Sequence, residues 1–169
     1  MIYICMKRLF SIFKRKKVDS SPVVVPKSLQ DVKISESIIN KDLVVDDSDL
    51  ERELLVEVLR GAGVNNDFLN ARNGEEAIQV LGTRYKEIGL ILLDWQMPEM
   101  SGMEFMEAVV KVPAVSKTSI IMVSASGTDE NKKQAKQVNP NLVGYIVKPY
   151  TPESLLDVIK PFVELKKEG

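Results

Sequence analysis

The sequence contains no histidine and a single cysteine, Cys5. With one cysteine no intrachain disulfide can form, and without histidine the usual Cys/His zinc sites are excluded. The same absences remove Ser-His and Cys-His nucleophile pairs. Any metal site must be built from oxygen ligands, which points to Mg2+ or Ca2+. Aromatic residues make up 6% of the chain, with Trp95 the only tryptophan. No apolar run approaches the ~18 residues that a membrane-spanning helix needs. The apolar start, from Met1 to Met6, precedes the basic cluster where a signal peptide would follow it. A cytoplasmic location is the expectation. The net charge of −1 offers no general attraction to nucleic acid.

What is present is ordinary globular content. Hydrophobic residues are 44% and charged residues 28% of 169, enough for one domain and a short appendage. The charge is unevenly spread. Residues 1–38 carry eight Lys/Arg and three Asp/Glu, a net of +5; the remainder carries fifteen and twenty-one, a net of −6. Within residues 1–18, Leu9, Phe10, Ile12 and Phe13 fall on one side of a helical wheel, with Lys7, Arg8, Lys14 and Arg15 mostly on the other. A basic amphipathic helix of this kind suits weak contact with an anionic membrane surface through residues 7–17. The alternative is a solvated tail, since so short a helix is marginal alone. Met6 is a second candidate start. Residues 19–37, with Ser20-Ser21-Pro22 and Pro26, read as a linker, leaving residues 38–169 as the globular domain.

That domain alternates strand and helix signals. Leu43-Val44-Val45 is a short apolar strand ending in Asp46-Asp47. Ser48-Asp49-Leu50-Glu51 matches a capping box and opens a helix whose expected buried stripe is Leu50, Leu54, Val58 and Leu59. Gly61 and Gly63 close it. Residues 68–71 form a weak second strand, and Asn73 caps a helix bearing Ala77, Ile78 and Leu81. The nearly continuous apolar run 88–93 predicts a central parallel strand, ending at Asp94. Ser101-Gly102-Met103-Glu104 starts a helix with Phe105 and Val109. Strands at 120–123 and 144–147 end at Ser124 and Lys148, with a polar helix near 129–138 between them. Thr151-Pro152-Glu153 opens the last helix, which Pro161 is expected to kink. Five strands alternating with five helices imply a parallel sheet covered on both faces.

The chemistry-bearing residues share one kind of position. Asp46, Asp47, Asp94, Ser124 and Lys148 all follow strands, and the carboxyl ends of parallel strands share one edge, where ligands bind. Three carboxylates at close range repel, so they raise one another's pKa or take a cation. Mg2+ accepts carboxylates and phosphate oxygens. With that charge compensated, a carboxylate can attack a phosphoryl group and form an aspartyl phosphate. A lysine and a hydroxyl supply the remaining neutralisation and hydrogen bonding.

Four segments carry a family resemblance: Val44-Val45-Asp46-Asp47-Ser48, the run Leu92-Leu93-Asp94-Trp95-Gln96-Met97-Pro98-Glu99-Met100-Ser101-Gly102, then Met122-Val123-Ser124-Ala125, and Tyr145-Ile146-Val147-Lys148-Pro149. Over residues 39–167 the chain resembles a response-regulator receiver domain, most closely the single-domain chemotaxis regulators around Asp94. The resemblance implies a flavodoxin-like doubly wound sheet of order 2-1-3-4-5. It implies Asp94 as phosphoacceptor, Asp47 as a direct Mg2+ ligand, Asp46 mainly through water, and the Gln96 carbonyl as a further ligand. Lys148 would pair with the phosphoryl group, with a cis bond to Pro149. Ser124 and Tyr145 would act as switch residues over the helix 4, strand 5, helix 5 face; plain half-buried packing is the alternative for Tyr145. Gln96 and Ser126 occupy the two positions that tune dephosphorylation. The implied protein is a self-phosphorylating switch with autodephosphorylation instead of a conventional enzyme. Its partners would be a sensor histidine kinase or phosphotransfer protein and an output protein, since no output domain follows Gly169. A binding module working without phosphorylation shares this fold. An aspartyl-phosphate phosphatase would want an acid where Gln96 stands. Two features depart from the family: a longer stretch between Ser124 and Lys148, with Asn139-Pro140-Asn141, and the polar fourth helix.

Overall fold

A computed structural model of the chain describes residues 41–116 and 118–166. The expected amphipathic segment, the linker and the alternative start lie outside these residues. Five strands, β1 (Lys41–Val45), β2 (Asp67–Ala71), β3 (Ile88–Leu93), β4 (Ser119–Ser124) and β5 (Leu142–Val147), form one parallel sheet of order β2-β1-β3-β4-β5. Five helices alternate with them: α1 (Asp49–Gly61), α2 (Gly74–Arg84), α3 (Gly102–Val109), α4 (Asp129–Val138) and α5 (Pro152–Ile159). The expected fold class and strand order are both found.

Successive strand residues point to opposite faces, so each buried strand feeds two cores. Leu43, Val45, Ile91, Leu93, Ile120 and Met122 enter the layer containing Phe105, Met106 and Leu81, under α2 to α4. Val44, Leu90, Leu92, Ile121, Val123 and Ile146 enter the layer of Leu55, Leu59, Leu155 and Ile159, under α1 and α5. This two-sided burial explains why β3 reads as a continuous apolar run.

Three expectations need correction. The buried residues of α1 are Arg52, Leu55 and Leu59, whereas Leu50 is 73% and Leu54 47% exposed. The apolar positions of α1 offer two adjacent stripes, and Arg52 selects between them. Its guanidinium donates to the carbonyl of Asp46 and to the carboxylate of Asp49, turning that face inward. The capping box at the start of α1 forms only in part: the Ser48 hydroxyl accepts from the Glu51 amide at 3.3 Å, without the return bond. Pro161 does not kink α5; the α-helix stops at Ile159 and a 3-10 turn covers Lys160–Phe162.

The polar α4 buries only Ala135. It is held by its ends. Lys136 Nζ donates to the carbonyls of Pro140 and Leu142, at 2.9 and 2.6 Å. Asn139 is buried and accepts from the Asn141 amide at 2.9 Å, which turns the longer Asn139-Pro140-Asn141 stretch into β5.

At the opposite end of the sheet from the strand carboxyl ends lies a buried acid, Asp42, fully shielded from solvent. Its Oδ1 accepts from Asn66 Nδ2 at 3.1 Å, and its Oδ2 has no hydrogen-bond partner among the described residues. Asn66 also accepts from the Glu164 amide at 2.9 Å, beside the Val64–Leu165 bridge that ties the C-terminal segment to the α1–β2 loop. Burial pushes the Asp42 pKa from 3.8 up to about 7, against the opposing hydrogen bond from Asn66. The folded state therefore keeps a proton that the unfolded chain releases. Its contribution to stability is full below pH 3.8 and declines as pH rises to about 7. Asp42→Asn is expected to remove this loss. Its urea-unfolding free energy relative to wild type should rise by ~2 kcal/mol or more between acid and neutral pH. A difference that stays constant with pH would refute the account.

Candidate functional site

The carboxyl ends of β1, β3, β4 and β5 deliver Asp46, Asp94, Ser124 and Lys148 to one edge of the sheet. Asp94 and Asp46 are nearly buried, at 9% and 7% exposure. The backbone of the site is laced across strands: the Asp94 amide donates to Val45 O at 2.8 Å, the Asp46 amide to Ala71 O at 3.2 Å, and the Lys148 amide to Ser124 O at 2.9 Å. The Lys148–Pro149 bond is cis, as expected.

Lys148 is the centre of the cluster. Its Nζ donates to Asp46 Oδ2 at 2.6 Å and to Asp94 Oδ1 at 3.2 Å. The free oxygens of both acids are used as well. Asp46 Oδ1 accepts from the Ser48 amide at 2.9 Å, and Asp94 Oδ2 from the Gln96 amide at 2.8 Å. Burial raises the Asp94 pKa, and the charge of Asp46 adds to it, while Lys148 opposes both. For Lys148 burial acts downward, but the hydrogen bond to Asp46 and the charges of Asp94 and Asp46 outweigh it, so its pKa is raised and the ammonium is firmly charged.

Asp47 stands apart from this cluster. It is exposed and borders a cavity of about 330 Å3 shared with Arg72, Asn73, Glu76, Pro98 and Glu99. Among the described residues, no three acids are gathered closely enough to hold a metal ion. The cation between Asp46 and Asp94 is the ammonium of Lys148. The carboxylate oxygens of the nearly buried Asp46 and Asp94 are donors of the kind that Mg2+ takes.

The switch candidates form a second, linked group. Ser124 is buried, and its hydroxyl accepts from the Ser126 amide at 3.2 Å. Tyr145 is half-buried and donates from its hydroxyl to the Ser126 carbonyl at 2.5 Å. Burial raises the Tyr145 pKa, a hydrogen bond with Ser124 lowers it, and the charge of Asp94 raises it again. Its ring lies 6.5 Å from that of Trp95, tilted by 53°. The Ser126 hydroxyl accepts from Asn131 Nδ2 at 2.8 Å, which connects the group to α4. Gln96 is exposed.

Beyond the Asn73 cap, which the sequence indicated and the structure forms, several supporting contacts were not legible in it. Arg52 braces the Asp46 carbonyl from inside α1. Asn73 caps α2 through the Glu76 amide and donates to the carboxylate of Glu99, which has a left-handed backbone at φ 64°. The Gly74 amide donates to Met100 O at 3.0 Å, so the β2–α2 loop straps the β3–α3 loop in two places. Glu51 reaches Lys148 Nζ at 3.6 Å. Arg52 left a trace in the sequence as an acid-base pair with Asp49 at helical spacing, and Asn73 and Glu51 left theirs as capping signals.

A family model described as the response regulator receiver domain matches residues 43–160. The chemotaxis protein CheY homolog of Campylobacter jejuni is 35% identical over 120 residues, covering 71% of this chain and 89% of that protein. Chemotaxis protein CheY1 of Helicobacter pylori is 32% identical over 120 residues, with 71% and 94% covered. Among solved structures, chemotaxis protein CheY4 of Vibrio cholerae aligns with a TM-score of 0.64 at 31% identity, covering 73% of this chain and 98% of that one.

Close packing sets the Asp94 backbone. A Cβ built on Gly102 would meet the Asp94 carbonyl oxygen at 2.2 Å, whereas one on Gly61 meets nothing within 4 Å. Gly102→Ala should therefore push on the Asp94 loop and lose ~1–3 kcal/mol in denaturant unfolding. Gly61→Ala, in a helix with open space around it, should gain up to ~1 kcal/mol. Equal effects at the two glycines would contradict this reading.

Proposed function

The chain belongs to the response-regulator receiver family, a phosphoacceptor response regulator of two-component signalling, and from that membership we propose that Asp94 is its phosphoacceptor. The observation that carries the assignment is the Lys148 ammonium shared between Asp94 and Asp46 at 3.2 and 2.6 Å. It marks two nearly buried acids whose charge is matched by one cation, and of the two Asp94 stands at the end of β3, the middle strand of the sheet.

Mg2+, held by Asp46, Asp47, Asp94 and the Gln96 carbonyl, would supply the charge neutralisation that lets two anions approach. An Asp94 carboxylate oxygen attacks phosphorus in line, forming an acyl phosphate, while the donor's leaving group departs with the electron pair of the broken bond. Lys148 keeps Asp94 anionic before the reaction and pairs with the phosphoryl oxygens afterwards. The Gln96 amide, on Asp94 Oδ2, holds the carboxylate in orientation. The Ser124 hydroxyl donates to the new phosphoryl oxygen. Hydrolysis of the acyl phosphate returns the switch, with Gln96 and Ser126 at the positions that tune its rate.

The linked group of Ser124, Ser126, Tyr145 and Asn131 supports a readout through α4 and β5. Drawing Ser124 toward the phosphoryl group shifts the Ser126 carbonyl on which Tyr145 is anchored. That shift biases two packings of the α4–β5–α5 face and so selects a partner. The donor is a sensor kinase or phosphotransfer protein, and the receiver of the signal is a separate output protein. Among the described residues no helix is long and apolar enough to cross a membrane. Weak anionic-surface contact through residues 7–17, the linker 19–37 and the domain start at 38 rest on the sequence pattern alone.

The test is labelling by a small phosphodonor with Mg2+. Wild type should take up one phosphoryl group per chain and Asp94→Asn none. Trp95, adjoining Asp94 and packed near Tyr145, should change its emission on adding Mg2+ and again on adding the donor. Persistent labelling of Asp94→Asn, or a silent Trp95 with both additions, would defeat the assignment.

A further inference from the structure

Glu51 occupies a place that its helix does not require. Two other helices close reciprocal capping boxes, Ser101 with Glu104 and Thr151 with Ser154. At α1 the sequence spells the same box, yet the Glu51 carboxylate does not return to the Ser48 amide. That amide is already taken: it donates to Asp46 Oδ1 at 2.9 Å. The acid of the site has thus satisfied the cap's second donor, and Glu51 is released toward Lys148, 3.6 Å from Nζ.

Lys148 consequently faces three carboxylates. The side chains of Asp46 and Asp94 are 9% and 11% exposed, while that of Glu51 is 42% exposed. Glu51 is therefore the outermost of the three. Its charge also reaches Tyr150, whose half-buried phenol is pushed up first by burial and next by Glu51. A negative group at this position lies beside the path of any anion approaching Lys148 and Asp94 from solvent.

We propose that Glu51 is an electrostatic gate on the phosphoryl site: it competes for Lys148 and repels small free anionic phosphodonors, which makes it a rate-setting and specificity-determining residue. The proposal rests on the assignment of Asp94 as phosphoacceptor. Glu51 acts through Lys148 and through the local field, without touching the reacting atoms. Its partial exposure places the effect between the water and interior limits, at roughly threefold to tenfold in rate. The effect must also fade as salt screens it.

The experiment measures the initial rate of Asp94 labelling by a small acyl phosphate at saturating Mg2+, at low (~0.02 M) and high (~0.5 M) ionic strength. Glu51→Gln should label roughly threefold to tenfold faster than wild type at low salt, with the gap closing at high salt. Glu51→Ala, a second neutral variant, should behave alike, and Glu51→Asp, which keeps the charge, should remain near wild type. A purely structural role would alter melting temperature and give a salt-independent rate change. Neutral variants that label no faster at low salt, or whose advantage ignores salt, overturn the gate. Wild type that takes no label overturns the Asp94 assignment instead, and the gate with it.

Discussion

The site depends on one ammonium held between two nearly buried carboxylates. Bringing Asp46 and Asp94 together, both nearly buried, at one sheet edge costs desolvation and mutual repulsion. Lys148 offsets that cost by donating to both, at 2.6 and 3.2 Å. Removing one member of such a buried set leaves charge uncompensated, which is far more damaging than the pair's net worth suggests. The same arrangement is poised, because the ammonium is held by charge and by hydrogen bonds to side chains. A stronger anion at Asp94 can draw it over without breaking any backbone contact.

Around this pair the loops are held by close approach and by unusual partners. Gly102 lets α3 begin against the Asp94 carbonyl, where no side chain fits. Asn73 and Gly74 strap the β3–α3 loop through Glu99 and Met100. Arg52 braces the Asp46 carbonyl from the buried side of α1. These supports surround the Asp94 loop, whereas Ser124, Ser126 and Tyr145 are linked to one another and to α4 by hydrogen bonds, with the Tyr145 ring beside Trp95. The rigid part of the site and the adjustable part are thus different residues.

The adjustable side faces a helix with almost no core. α4 buries Ala135 alone and is held by Lys136 on the carbonyls of Pro140 and Leu142 and by the buried Asn139. A helix held mainly by its termini can shift with little loss of apolar contact. Its composition, which set it apart from the family pattern, is therefore compatible with a readout element.

The sequence alone determined the sheet, its five helices and the positions of Asp46, Asp94, Ser124 and Lys148 at strand ends. Apolar runs, caps and turn residues are local signals, and parallel strands force their carboxyl ends onto one edge. It also carried enough of the motif around Asp94 to indicate the chemistry. Only the tertiary structure decided which α1 stripe is buried, because Leu50 and Leu55 are equally apolar and the choice came from Arg52 meeting Asp46. It alone placed Asp47 outside the Lys148 cluster, buried Asp42 at the far end of β1 with only one carboxylate oxygen hydrogen-bonded among the described residues, and redirected Glu51 from its cap to Lys148. Each of these depends on a partner distant in sequence competing for the same donor or acceptor. No local pattern records that competition, since it exists only once the chain has folded.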